Sequence, residues 1–288
     1  MAKARVSDFF SLVKFSHTLF ALPFALVGFF LAYQMTGAVF PVGKLLLVIL
    51  CMVFARSAAM GFNRYIDRKI DQRNPRTANR EIPAGVISPS AALAFVIIAS
   101  VLFTVCTWFI NPLCFYLSPV ALLVILGYSW TKRFTSLCHL VLGVGLSLAP
   151  IGAYLAVLGQ FDLLPLLLSF AVFLWVSGFD IIYALQDEEF DRSQKLHSIP
   201  AALGKKRALM LSNILHLFCG FFILYFGYYG QFGLFFWIGA LVFLFLLTYQ
   251  HFLVKPNDLS KVNLAFFTTN GIASVVFGVM AVLDVLLG

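Results

Sequence analysis

Residues 42–71 read VGKLLLVILCMVFARSAAMGFNRYIDRKID, and this stretch decides the fold. From Leu45 to Ala55 every side chain is apolar. The run as a whole is long enough to cross a bilayer, which takes about 20 residues of helix. It ends in Asn63, Asp67 and Asp71. Spacing of four stacks these oxygen donors on one face of a helix. A membrane helix thus delivers acids to one side of the bilayer, and the rest of the chain can be read outward from it.

Of the 288 residues, 61% are hydrophobic and 11% charged, against roughly 25% charged in soluble domains. Apolar runs recur along the whole length, so neither a single anchor nor a cleavable leader accounts for them. Nine stretches are expected to span: 14–35, 42–64, 90–109, 113–130, 138–157, 162–184, 207–229, 232–254 and 262–286. The fold class is therefore an all-α integral membrane protein of nine transmembrane helices. Asn111-Pro112, Gly159-Gln160 and Gly230-Gln231 mark tight turns between antiparallel neighbours. Ahead of the first span, Met1 to Lys14 reads as an amphipathic stretch at the interface.

The net charge is +8, but the basic residues are dispersed over short loops and interleaved with acids. Anionic headgroups of the lipid bilayer and a diphosphate suit this pattern; nucleic acid does not. Eighteen of the 20 basic residues lie at the N-terminus or after spans two, four, six and eight, and only Lys44 and Arg56 do not. Basic loops stay in the cytoplasm, so the N-terminus and the even-numbered loops are expected inside. Gly288 is then on the opposite face, and the membrane is the inner, cytoplasmic one.

The acidic pattern occurs twice. Asp187 and Asp191 follow Asp67 and Asp71 by 120 residues, with Tyr183 and Asp180 before them, and Tyr249 follows Tyr128 at nearly the same offset. An even number of spans returns each copy in the same orientation. The pattern predicts one domain over 1–288, made of two parallel four-helix repeats, about 14–130 and 138–254, and a last helix at about 262–286. The two clusters would face one central cavity.

Hard oxygen donors at this spacing suit Mg²⁺, which takes one or two carboxylates and completes its shell with water and phosphate oxygens. A solvated, salt-bridged helix end would use the same residues, since Arg64, Arg68 and Lys69 interleave with them. The second copy favours the metal. Two carboxylate clusters facing each other repel unless cations lie between them, and a diphosphate bridging two Mg²⁺ meets that need. Phosphate binders are at hand in Arg73, Arg76, Arg80, Lys132, Arg133, Arg192 and Lys195.

Arg56 lies inside a span, where a charge costs at least ~2.5 kcal/mol on insertion scales. It shares a helix face with Asn63 and Asp67. Its two readings are an internal ion pair, for instance with Asp180, and a grip on the carboxylate of a second substrate. Cys51, Cys106, Cys114, Cys138 and Cys219 read as small apolar residues. His17, His139, His216 and His251, without ligand spacing, read as structural hydrogen-bonding residues.

Taken together, Arg56-x6-Asn63-Arg-Tyr-Ile-Asp67-Arg-Lys-Ile-Asp71, Arg76-Thr-Ala-Asn-Arg80, Tyr128-x-x-x-Lys132-Arg133 and Asp180-Ile-Ile-Tyr-Ala-Leu-Gln-Asp187-Glu-Glu-Phe-Asp191 resemble the UbiA superfamily of intramembrane aromatic prenyltransferases over nearly the whole chain. The resemblance implies nine helices around a cavity capped by the loops after spans two and six. It implies two Mg²⁺, one on Asn63, Asp67 and Asp71 and one on Asp187 and Asp191. Arg80, Lys132 and Lys195 would bind diphosphate, and Arg56, Tyr128 and Asp180 the aromatic acceptor. The implied reaction moves a polyprenyl group from its diphosphate to an aromatic acid, 4-hydroxybenzoate or a dihydroxynaphthoate, in ubiquinone or menaquinone biosynthesis. Many hydroxybenzoate enzymes of the family carry Gly-x-Lys-Ser after the second acidic motif. Here the stretch is Lys195-Leu-His197-Ser198-Ile-Pro200, which resembles the branch tied to menaquinone made by the futalosine route. A secondary transporter is the alternative of another class. Transporter sites lie near the midplane, whereas these charges gather on one side.

Overall fold

The computed structural model describes residues 5–13, 20–37 and 39–288. Its helices, in chain order, are α1 (Val6–Val13), α2 (Leu22–Gln34), α3 (Val42–Arg73), α4 (Pro89–Ile110), α5 (Pro112–Thr131), α6 (Cys138–Leu158), α7 (Leu163–Ala184), α8 (Glu188–Ser193), α9 (Ile199–Leu203), α10 (Lys205–Tyr229), α11 (Leu234–Leu253) and α12 (Asn270–Leu287). A 3₁₀ turn, Leu185–Asp187, joins α7 to α8, and a π-helical turn, Leu264–Thr269, leads into α12.

Among the described residues eight helical runs are long and apolar enough to cross a membrane, and they fall on the eight later expected spans. The first expected span is represented by the shorter apolar helix α2; residues 14–19, with His17, lie outside the described residues, as do Lys3 and Lys14 of the expected interfacial stretch. The part of that stretch which is described, α1, turns an apolar side onto the protein. Leu12 is buried with Ile82, Ile87 and Ala92, and Ser11 donates to Glu81 at 2.5 Å.

Helix α3 outruns its expected end at residue 64 by more than two turns. The falling hydropathy after Asn63 marks departure from lipid, not the end of the helix, because no helix breaker occurs before Pro75. Asn74, the residue before that proline, is extended (φ −90°, ψ 117°) and ends the helix. The first acidic cluster therefore rides on rigid helix. The tight turns are capped as their residues suggest. Asn111 accepts from Cys114 N–H at 2.8 Å above Pro112, Gly159 closes α6 in the left-handed region (φ 68°), and Asp162 accepts from Leu164 N–H.

The main core forms around Trp175, fully buried against Phe24, Phe179 and Phe243, with its indole N–H on Asn270 Oδ1 at 2.8 Å. It joins α2, α7, α11 and α12. Gly28 lets α2 approach α6 closely, since a Cβ there would lie 2.1 Å from the Pro150 carbonyl oxygen. Outward faces carry exposed Leu123, Leu217, Leu241 and Phe252. Such apolar surface would be a liability in water and is the natural contact with lipid tails. All five cysteines are free. His216 and His251 bond to each other at 2.7 Å, as structural residues do.

Candidate active site

One cavity of about 290 Å³ collects the charged residues of both halves. Helix α3 supplies Arg56, Asn63, Arg64, Asp67 and Asp71; α5 ends in Tyr128 and Lys132; α7 brings Asp180 and Tyr183; the turn and helix after it bring Asp187 and Asp191. The loop after α3 adds Asn74, Arg76, Thr77 and Arg80. Ten of the eleven site residues expected from sequence line this space. Lys195 does not: it sits exposed in a left-handed turn (φ 55°), with its backbone N–H on Arg192 O. Arg76, also expected among the phosphate binders, does line the cavity.

Each cluster is held by cations. Asp67 receives Lys132 at 3.0 Å and Arg133 at 2.9 Å, and Asn63 donates to it at 3.2 Å. Arg80 binds Asp71 at 2.7 Å, while the second oxygen of Asp71, Oδ2, is buried with no hydrogen-bond partner among the described residues. On the other side Asp187 accepts from Arg76 Nε at 2.9 Å, from Arg76 Nη2, and from Asn74 at 3.0 Å. Burial lowers the Arg76 guanidinium, but the hydrogen bond and charge of Asp187 outweigh it and leave the group above its ordinary value. Among the described residues no three acidic, imidazole or thiol groups converge on one point.

Arg56 forms no ion pair among the described residues, and its buried Nε has no partner. The ion pair with Asp180 is not formed, because Asp180 turns to His139 Nδ1 at 2.7 Å. Arg64, only 5% exposed, likewise has an unpartnered Nε. Two buried guanidiniums thus border the cavity, each with an Nε that has no hydrogen-bond partner among the described residues.

Below Arg56 and Tyr128 the polar cavity meets a second chamber of about 380 Å³, lined by Val48, Met52, Phe103, Ile110, Val124 and Ile151 among other apolar side chains of α3 to α6. Arg56, Met60, Tyr128, Leu142 and Leu146 line both spaces. A charged end and an oily end thus share one neck.

Two contributors have no signal at the level of spacing. The π-helical turn brings Phe266 and Phe267 into the cavity wall, where Phe266 stacks on Tyr183 with centroids 4.1 Å apart. Asn270 holds that turn by donating to Ala265 O at 3.0 Å and Phe266 O at 3.1 Å. His139 is the other.

Comparison with known proteins agrees with this geometry. Residues 21–272 match the UbiA prenyltransferase family. The 4-hydroxybenzoate octaprenyltransferase of Tolumonas auensis is 32% identical over 251 residues, 86% of this chain and 87% of that one. The enzyme of the same name from Coxiella burnetii is 32% identical over 229 residues, 78% of each chain. Among solved structures, a UbiA homologue from Aeropyrum pernix K1 superposes with a TM-score of 0.84 at 31% identity, covering 93% of this chain and 98% of its own. A UbiA homologue from Archaeoglobus fulgidus bound to DMAPP and Mg²⁺ shares the fold (TM-score 0.77, 19% identity, 98% and 100% covered). These matches set the transporter reading aside: the chain is a multi-pass membrane enzyme and belongs to the UbiA prenyltransferase family.

Proposed function

We propose that this protein transfers a polyprenyl chain from polyprenyl diphosphate to an aromatic acid, in the synthesis of a membrane quinone. The observation that carries this reading is the single space in which two acidic clusters stand above an apolar chamber, with unpaired Arg56 at the neck. A diphosphate fits the polar end, an isoprenoid the apolar end, and an acid beside Arg56.

Asn63, Asp67 and Asp71 would hold one Mg²⁺ and Asp187 and Asp191 a second. The buried, unpartnered Asp71 Oδ2 and the all-oxygen donor set fit that ion. When bound, Mg²⁺ neutralises charge on the departing diphosphate. Arg76, Arg80 and Lys132 now sit on Asp187, Asp71 and Asp67. In the loaded enzyme they turn to phosphate oxygens, for which their forks and charges are suited. Arg56 binds the acceptor carboxylate, Tyr128 and Asp180 flank its ring, and the apolar chamber keeps water from the allylic carbon.

The relatives named 4-hydroxybenzoate octaprenyltransferase favour 4-hydroxybenzoate, and the Leu196–Pro200 run favours a dihydroxynaphthoate; both are phenolic acids. The acidic clusters face the cytoplasm from the inner membrane, with the N-terminus inside and Gly288 outside. The chain is one domain of two parallel four-helix repeats and a last helix, a division that rests on the recurrence of the acidic motif after 120 residues. The test is incubation of the purified protein with Mg²⁺, a polyprenyl diphosphate and each acid in turn, read by mass spectrometry. Prenylation of one acid and not the other selects the acceptor. Failure with every phenolic acid rejects the reading.

A further inference from the structure

Resting on the transfer reaction proposed above, the geometry points to His139 as a positioning residue that holds Asp180 ready to take the proton which the acceptor ring must lose. The balance of the reaction requires such a base. The allylic C–O bond breaks with its electron pair going to the diphosphate oxygen, and a π pair of the ring forms the new C–C bond. The alkylated ring carbon then carries both a proton and the prenyl group, and the C–H pair returns to the ring only when that proton leaves to a base.

The cavity holds five aspartates, and four are engaged elsewhere. Asp67, Asp71 and Asp187 each carry a cation, and Asp191 stands beside Asp187 in the second metal cluster. Asp180 has no lysine or arginine partner among the described residues. Its Oδ2 lies 2.7 Å from His139 Nδ1. The far nitrogen of the same ring, Nε2, accepts the backbone N–H of Ile199 at 3.3 Å. The ring is thereby held between the two groups, with Nδ1 facing the carboxylate. The carboxylate is thus oriented by a ring that is itself anchored to the backbone of α9. Its Oδ1 takes no hydrogen bond among the described residues, and the side chain retains 21% exposure toward the cavity that Arg56 and Tyr128 also line.

Placement supports the role. Asp180 lies seven residues before Asp187, about 10 Å along the helix, on the acceptor side of the metal cluster. His139 is buried (4% exposed) in the first turn of α6. Ile199 is the first residue of α9, whose N-terminal donors need partners. One imidazole therefore fixes Asp180 and also ties down the segment that carries Ser198 into the cavity.

The experiment uses full-length protein in detergent with Mg²⁺, polyprenyl diphosphate and whichever phenolic acid the wild type prenylates, either unlabelled or deuterated at the ring carbon that takes the prenyl group. His139→Leu should lower kcat roughly 10–100-fold, the usual cost of losing a group that orients a functional side chain, with KM for the diphosphate unchanged. A primary deuterium effect absent from the wild type should appear. His139→Gln, whose amide N–H can still reach Asp180, should restore most of the rate and abolish the isotope effect. Equal losses in the two variants without an isotope effect, or no loss, would overturn the assignment. Should His139→Leu not fold, Asp180→Asn decides: it should lose about 10²–10⁴-fold in kcat and show the isotope effect, and wild-type turnover would overturn the role. Absence of prenylated product from the wild type with every phenolic acid would instead reject the proposed reaction.

Discussion

Arg76, in the loop after α3, reaches the carboxylate of Asp187 at the end of α7, donating from Nε at 2.9 Å and again from Nη2. The contact ties the loop after the first acidic cluster to the second cluster, and in doing so it competes with any cation for Asp187. Arg76→Gln should therefore move two measurements in opposite directions. Mg²⁺ binding in the absence of substrate, followed by calorimetry, should tighten because Asp187 is released. The KM for polyprenyl diphosphate should rise, up to roughly 10- to 150-fold for a lost charge-assisted contact of about 1.5–3 kcal/mol. Weakening of both would show Arg76 to be a structural strut.

Arg56 stands at the neck between the polar and apolar spaces without a counter-ion. Arg56→Ala should raise the KM for the aromatic acid by roughly 10- to 150-fold, for the loss of a similar contact of about 1.5–3 kcal/mol, and leave that for the diphosphate nearly unchanged. An acceptor lacking its carboxylate should be poor for the wild type and lose little more on substitution. Additive losses would remove Arg56 from the acceptor site.

The closeness of α2 and α6 rests on Gly28, where a Cβ would meet the Pro150 backbone at 2.1 Å. Neither backbone can yield cheaply. Gly28→Ala should destabilise the protein by about 1–3 kcal/mol, seen as a lower melting temperature in detergent, while KM values stay put. An unchanged melting temperature would contradict this contact.

Orientation follows from charge. In a background without the native cysteines, a cysteine at exposed Lys195 should react with a membrane-impermeant reagent only from the cytoplasm, and one at Gly288 only from the other side. Labelling of position 288 from the cytoplasm would mean that a span has been miscounted.

The acid pairs were legible because a four-residue step is a local property of a helix. Asn63, Asp67 and Asp71 needed only α3 to be helical, and Asp187 and Asp191 needed only the 3₁₀ turn after α7 and the first turn of α8. The extension of α3 was not legible from hydropathy, which reports lipid and not hydrogen bonding; Pro75 was the better signal. Lys195 was expected in the cavity by its nearness in sequence to Asp191, but the left-handed backbone there turns it outward. His139 and Asp180 meet across 41 residues, a contact between two helices that leaves no mark in spacing. Arg64 was read as one more basic residue beside the acids. Burial, with an Nε that finds no hydrogen-bond partner among the described residues, separates it from Arg68, which donates to Tyr65 O and covers that ring.

The central claim is that both acidic clusters act on one diphosphate through Mg²⁺, and its most direct test is the metal dependence of prenyl transfer in the wild type and in Asp67→Ala, Asp187→Ala and the double variant. The expected result is turnover by the wild type that vanishes with EDTA and returns with Mg²⁺, with neither single variant nor the double variant active although all three remain folded. Full turnover by the double variant, or wild-type transfer indifferent to EDTA, would contradict it.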